Sequence, residues 1–147
     1  MLKLIWKRKI KVIRKVVAKD LKLVNELIKN LDSNEIVNIE LLDHPFYRYL
    51  VYELNSEIIA VLKYSIIYER IEIDYIYVLE KYRRKGVATK LINYIVEENK
   101  NCKNFSLEVR KSNIAAQKLY ENLGFKVVNI RKNYYGNEDA LIYMRSE

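Results

Sequence analysis

The spacing of apolar residues changes several times along the chain, and each change marks an element. Residues 10–17 are rich in β-branched side chains and predict a first strand. Over 19–31 the period lengthens, with Leu21, Val24, Ile28 and Leu31 recurring as the stripe of an amphipathic helix. Asp32-Ser33-Asn34-Glu35 resembles a capping box and predicts a short helix over about 35–42. His44-Pro45 ends that helix, because the residue before proline avoids helical angles. Three strand-like runs follow at 47–54, 57–68 and 70–79. The short breaks at Asn55-Ser56 and Glu69 predict antiparallel hairpins. Ile76-Tyr77-Val78-Leu79 is apolar on both faces, as expected of a buried central strand.

In the second half, 86–99 predicts a helix with Ala88, Leu91, Ile92 and Ile95 on one side. Over 104–110 the period is two: Phe105, Leu107 and Val109 alternate with Ser106, Glu108 and Arg110. Asn113 is placed to cap a helix running to about Leu123. Strands at 126–133 and 139–145 flank a turn at Tyr135-Gly136-Asn137. The expected order is β-α-α-β-β-β-α-β-α-β-β, a mixed α/β sheet. Without repeats or linkers, residues 1–147 are expected to form one domain.

Charge and composition narrow the partners. The chain holds 27 basic and 19 acidic residues, a net charge of +8. That balance favours anionic partners such as a phosphorylated cofactor, RNA or the ribosome surface, without choosing among them. Cys102 is the only cysteine and His44 the only histidine, which excludes an internal disulfide and argues against a zinc or histidine-centred site. No metal is expected. No apolar run reaches the ~18 residues of a membrane span. Lys7, Arg8 and Lys9 interrupt the apolar N-terminus too early for a signal peptide, so the chain is read as cytoplasmic. Asn104-Phe105-Ser106 matches a glycosylation sequon that carries no meaning in that compartment.

Only three glycines occur, so their positions are informative. Gly86 lies in Arg83-Arg84-Lys85-Gly86-Val87-Ala88, after an apolar strand and before a helix. Free backbone N–H groups and the helix dipole favour an anion there, and flanking basic residues add to it. Gly124, in Leu119-Tyr120-Glu121-Asn122-Leu123-Gly124-Phe125, suits a left-handed helix cap. Taken alone, the string around Gly86 is equally compatible with a solvated basic turn.

The segment from Arg83 to Ala88 resembles the acyl-CoA loop, Q/R-x-x-G-x-G/A, of the GNAT superfamily of N-acetyltransferases. The run Leu107-Glu108-Val109-Arg110-Lys111-Ser112-Asn113, with Ala115-Ala116, Leu119 to Phe125, Ile130-Arg131-Lys132-Asn133-Tyr134-Tyr135 and Glu138-Asp139-Ala140, closely resembles the RimI branch. Those enzymes acetylate the N-terminal alanine of a small-subunit ribosomal protein. The closer resemblance covers about 107–144, while the first ~60 residues support only the general fold. It implies a mostly antiparallel central sheet with splayed central strands and about four flanking helices. Acetyl-CoA is the implied co-substrate. Ile76, Tyr77 and Val78 would lie along its pantetheine, with the Val78 N–H as oxyanion donor. Arg84, Lys85, Gly86, Val87, Ala88 and Thr89 would hold the pyrophosphate, and Asn113 would touch the pantetheine arm. Glu108 would be the general base and Tyr120 the general acid. Tyr134 and Tyr135 would line the peptide groove, opposite the loop around 40–47. Ala88 in place of the second glycine is allowed by the pattern. Tyr77 stands where the resembled enzymes usually carry a small residue, which bears on the local path of the cofactor.

The residue types suit the reaction. An α-amine with a pKa of ~8 is mostly protonated at neutral pH and must lose a proton to attack a thioester. A carboxylate can take it, and a tyrosine hydroxyl can supply one to the departing thiolate. No covalent enzyme intermediate is needed, so Cys102 need not be a nucleophile. Each role has a plainer rival. Glu108 could be a solvent-facing strand carboxylate paired with a neighbouring Lys, Tyr120 could simply pack, Asn113 could only cap its helix, and the tyrosine hairpin could be ordinary cross-strand packing. Glu40, Asp43, Glu138 and Asp139 are expected to attract a basic peptide. Two other functions stay open: acetylation of lysine side chains or small amines, and a non-catalytic CoA-binding or ribosome-associated module. The second would use the seven basic residues among the first 15, a segment able to touch RNA.

Overall fold

The computed structural model describes residues 9–31 and 34–147. Seven strands make one sheet: β1 (Lys11–Lys15), β2 (Tyr47–Leu54), β3 (Glu57–Ile67), β4 (Arg70–Val78), β5 (Asn104–Arg110), β6 (Lys126–Arg131) and β7 (Ala140–Ser146). Their order across the sheet is β1-β2-β3-β4-β5-β7-β6. All neighbours are antiparallel except β4 and β5, which are parallel. The helices are α1 (Leu21–Ile28), α2 (Ile39–Leu42), α3 (Val87–Glu98) and α4 (Ile114–Asn122). The expected order of elements is therefore the observed one.

Two apolar cores lie on the two faces of this sheet. On one, Leu50, Tyr52, Leu62, Tyr64, Ile71, Ile73, Phe105, Leu107 and Val109 pack with Leu91, Ile92 and Ile95 of α3, and Tyr120 of α4 joins their edge. On the other, Tyr49, Val51, Ile58 and Val61 pack with Val24, Leu27 and Ile28 of α1. The alternation in β2 and the long apolar run of β3 thus describe strands buried on both sides. Burial of a large apolar side chain contributes roughly 1.5–3 kcal/mol, so these layers supply most of the drive to fold.

The β4–β5 ladder positions the functional cleft. It pairs Arg70 with Asn104 through Ile73 with Leu107, and there it ends. Both strands continue, β4 to Val78 and β5 to Arg110, without bridging. At that same level the β3–β4 register shifts: Tyr64 pairs with Ile73 and Lys63 with Tyr75, leaving Asp74 as an extra residue. Such a bulge bends its strand and increases the local twist. The bulge and the end of pairing together open a wedge between two strands of one sheet.

Two expectations are corrected here. Residues 76–79 are half-buried rather than buried on both faces, because the outer edge of β4 has no partner strand beyond Ile73. The second helix begins at Ile39, not 35, with the Asn38 side chain accepting from the Leu41 N–H at 2.9 Å. Asn25 explains the late start. Its side chain accepts from the Val37 N–H (2.8 Å) and donates to the Val37 carbonyl (2.9 Å), holding that backbone extended. Asp32 and Ser33 of the expected capping box lie outside the described residues, as does the basic segment before Lys9.

The β1 edge is tied down by charge. Asp20 is 5% exposed, and both its oxygens accept from Arg14 at 2.7 and 3.0 Å. Asp20 also accepts from the Val17 N–H at 2.9 Å, and Arg14 Nε reaches Glu53 on β2 at 2.7 Å. Hydrogen bonds from Arg14 hold the Asp20 carboxyl below its usual range. Its stabilisation is complete above the ordinary carboxylate pKa of ~3.9 and is lost as pH falls through the depressed folded value. Asp20→Asn should cost about 2 kcal/mol at pH 7, less than a fully buried pair because Arg14 is partly solvated. Urea titrations should show the difference from wild type shrinking below pH ~3.5.

Candidate active site

One wall of the wedge leads into a loop shaped to meet an anion. The Val78 carbonyl accepts from Arg83 Nε at 2.9 Å, turning the chain back after β4. Arg84 (φ 59°) and Gly86 (φ 80°) are both left-handed, and α3 starts at the next residue. Gly86 occupies the N-cap without a side chain to cover the first turn of α3. A Cβ there would meet no atom within 4 Å, so the glycine serves the backbone angle and an open approach, not tight packing. Gly124 (φ 88°) follows α4 as the expected left-handed cap.

A cavity of about 1220 Å³ joins this loop to the strand edge and to α4. Ile76, Tyr77, Val78, Arg84, Gly86, Val87, Ala88, Thr89, Asn113 and Tyr120 all line it, with Asn30 and Leu31 behind α1. Lys85 does not line it; its ammonium lies 5.9 Å from the Tyr82 ring. The Leu79 N–H donates to Ile59 of β3 at 2.9 Å. Polar groups alternate along a strand, so the Val78 N–H faces the opposite edge, toward the wedge. The donor set suits a long ligand with an anionic end. It offers an apolar strand edge with free N–H groups, two arginines and an uncovered helix N-terminus.

Asn113 and Tyr120 each have two roles. Asn113 Oδ1 accepts from the Ala116 N–H at 3.1 Å, capping α4 while lining the cavity. Tyr120 packs edge-on against Phe125 at 5.9 Å, and burial pushes its hydroxyl up to about 12. It stays protonated at any physiological pH.

Glu108 is the first residue of β5 beyond the paired part of the ladder. With Tyr134 and Tyr135 it stands outside the cavity, in a second cluster on the β6–β7 side. Its carboxylate pairs with Arg131 of β6 at 2.8 Å, so the plain strand ion pair exists, with arginine as the cation. The Arg131 guanidinium lies 5.5 Å from the Tyr134 ring, Tyr134 meets Tyr135 edge-on at 5.0 Å, and the Arg110 guanidinium lies 3.9 Å from the Tyr135 ring. Arg110 also pairs with Glu138 at 3.3 Å. The hairpin tip is thus fastened to β5 at both ends.

Two acids expected to attract a peptide are employed otherwise. Glu138 accepts from the Ser112 N–H at 2.6 Å, and hydrogen bonds from Ser112 hold its carboxyl below the usual range. Asp139 accepts from the Asn133 N–H at 2.9 Å and closes the turn. Glu40 and Asp43 remain exposed. His44 stacks on Tyr47 at 4.1 Å and accepts from the Phe46 N–H at 3.2 Å, a turn residue as read. Cys102 is buried. Among the described residues no group of His, Cys, Asp and Glu could hold a metal, and no helix is long and apolar enough to cross a membrane.

One cluster beside the wedge escaped the sequence reading. Glu35 accepts from Tyr49 at 3.2 Å and Tyr75 at 3.0 Å and pairs with Lys63. Lys63 Nζ also lies 4.4 Å from the Tyr47 ring. Tyr75 directly follows the bulge, so this network fastens the loop after α1 to the bent part of β4. Its trace in the sequence is Lys63, a lone charge within the apolar run of β3.

Comparison with known proteins fits this geometry. Residues 20–125 match the acetyltransferase (GNAT) family. A Bacillus subtilis relative is 37% identical over 107 residues, covering 70% of this chain and 71% of its own. The ribosomal protein bS18-alanine N-acetyltransferase of Escherichia coli K12 is 36% identical over 103 residues, covering 65% and 70%. An N-alpha-acetyltransferase of Saccharolobus solfataricus is 49% identical over 72 residues, covering 46% of this chain and 43% of that one. The crystal structure of the Escherichia coli ribosomal-protein-S18-alanine enzyme aligns with a TM-score of 0.80 at 25% identity, covering 93% and 94%.

Gly86→Ala separates backbone strain from ligand contact. The free protein should lose about 1 kcal/mol, the cost of a left-handed non-glycine residue. CoA affinity, read by calorimetry, should fall tenfold or more, because the new methyl projects into the open approach. Unchanged affinity would remove Gly86 from the anion site.

Proposed function

The chain belongs to the acetyltransferase (GNAT) family, and from that premise we propose that it acetylates the N-terminal α-amine of a protein, an alanine of a small-subunit ribosomal protein, using acetyl-CoA. The observation that carries this reading is the end of β4–β5 pairing at Ile73 and Leu107. It sets a cavity fit for an anionic donor next to the point where β5 carries Glu108, its first residue no longer paired with β4. The relatives described as an N-alpha-acetyltransferase and as a ribosomal protein bS18-alanine N-acetyltransferase support the acceptor class.

Bound acetyl-CoA supplies the acyl group and a thiolate leaving group. Arg84, Gly86, Val87, Ala88 and Thr89 bind its phosphates, with Lys85 adding only distant attraction. Ile76 and Val78 offer main-chain groups along the edge, and the Val78 N–H stabilises negative charge on the carbonyl oxygen. Tyr77 keeps its ring toward the α1 face of the sheet, among the residues packed there, and so leaves the edge accessible. Glu108 takes the proton of the incoming ammonium, directly or through one water.

Burial pushes the Tyr120 hydroxyl up to about 12, so it is present as a donor at neutral pH. Tyr120 hydrogen-bonds the departing sulfur and gives it a proton as the general acid, and the proton removed from the amine returns to the phenolate through solvent. Tyr134 and Tyr135 wall the groove on the hairpin side.

Mass spectrometry of three acceptors tests the reaction: an alanine-started peptide, an N-terminally blocked lysine peptide, and spermidine. The first should be acetylated fastest; preference for either of the others would reassign the acceptor. Glu108→Gln should lower kcat by roughly 100- to 10,000-fold with CoA affinity unchanged. Tyr120→Phe should lower it by roughly 100-fold or more, again with CoA affinity unchanged.

A further inference from the structure

Glu108 is not waiting empty for an amine. Among the described residues it forms one ion pair, with Arg131 at 2.8 Å, and the two partners differ in freedom. The Glu108 side chain is 21% exposed and the Arg131 side chain 53%. Arg131 ends β6, an edge strand whose six residues are all exposed, so its side chain is packed on few sides. Its guanidinium already lies 5.5 Å from the Tyr134 ring while it pairs with Glu108, and that ring contact can keep the cation when the carboxylate is given up.

We propose that Arg131 is a stand-in for the acceptor: its guanidinium occupies the Glu108 carboxylate in the resting enzyme, and the acceptor's ammonium must replace it there. This rests on the reading of Glu108 as the group that receives the amine. Two monocations on one carboxylate repel each other, and that repulsion drives the exchange of one counterion for the other when the ammonium arrives. The exchange makes the site selective for a charged amine. An uncharged end offers Glu108 nothing in return for the arginine and leaves the pair intact. Because the pair is solvent-accessible, the cost of breaking it is small, a factor of about three to five in affinity. Arg131 thereby sets acceptor affinity without holding Glu108 in place, since Glu108 is fixed by its own strand between β7 and the wedge.

The test uses CoA-bound enzyme and two hexapeptides, one starting with alanine and one with its α-hydroxy isostere, which carries no charge. Arg131→Gln should tighten the amine peptide three- to fivefold by calorimetry, leave the isostere within about 1.5-fold, and keep kcat within about twofold. Arg131→Lys, which keeps the charge, should stay within about twofold of wild type for both peptides. Equal shifts for both peptides, unchanged or weaker binding of the amine, or a large fall in kcat would each overturn the proposal; the last would make Arg131 a positioning residue for Glu108. If the wild type acetylates only another amine, the acceptor assignment fails. The same comparison, run with that amine and its alcohol, still decides the role of Arg131. CoA affinity should be equal in all variants, which reports that they are folded.

Discussion

The parting of β4 and β5 after Ile73 and Leu107 is the constraint from which the rest of the site follows. A continuous ladder would consume the N–H and carbonyl groups of Ile76 and Val78 and seal the sheet. Ending it leaves those groups to a ligand, yet a buried unpaired edge would be costly. The protein meets that cost in two ways. Arg83 satisfies the Val78 carbonyl at 2.9 Å, and the cavity keeps the remaining groups open to solvent until a ligand covers them. The bulge at Asp74 turns the strand where the gap begins, so pairing with β3 continues while pairing with β5 does not.

Electrostatics divides the molecule into tasks. The surplus of +8 suits a polyanionic donor, but the proposed acceptor is a cation and needs local negative charge. Much of the acidity on the two sides of the groove is already committed: on the hairpin Glu138 to Ser112 and Arg110 and Asp139 to the turn, and in the loop after α1 Glu35 to Lys63 and two tyrosines. Glu108 lies just past the end of the β4–β5 ladder, and its cation, Arg131, is the more exposed of the two partners. The ion pairs of the hairpin and of the loop after α1 act as fasteners. They fix the two sides of the groove so that a small number of groups can be left for chemistry.

Much of this was legible in the pattern of residues. The alternation at 104–110 located β5 and turned Glu108 away from the core, and the isolated glycines located the left-handed turn before α3 and the end of α4. Helical spacing placed Tyr120 on α4, where it lines the cavity as well as packing on Phe125. What failed depended on contacts distant in sequence. Residues 76–79 read as fully buried because an apolar strand edge beside a ligand cleft has the composition of a core strand. The helix at 39 began late because Asn25, a residue of another helix, holds Val37 extended. Glu138 and Asp139 read as free charges because their N–H partners lie on segments that only the folded hairpin brings near. The pairing of Glu108 with Arg131 joins strands on either side of β7 and has no signature in spacing.

The account stands most directly on where the donor lies. A crystal structure with bound acetyl-CoA should show its phosphates on the backbone of 84–89 and its pantetheine along the β4 edge at 76–78. The thioester should then sit within reach, by at most one water, of the Glu108 carboxylate. Density for the donor on any other surface, or a thioester remote from Glu108 with the wedge still empty, would contradict it.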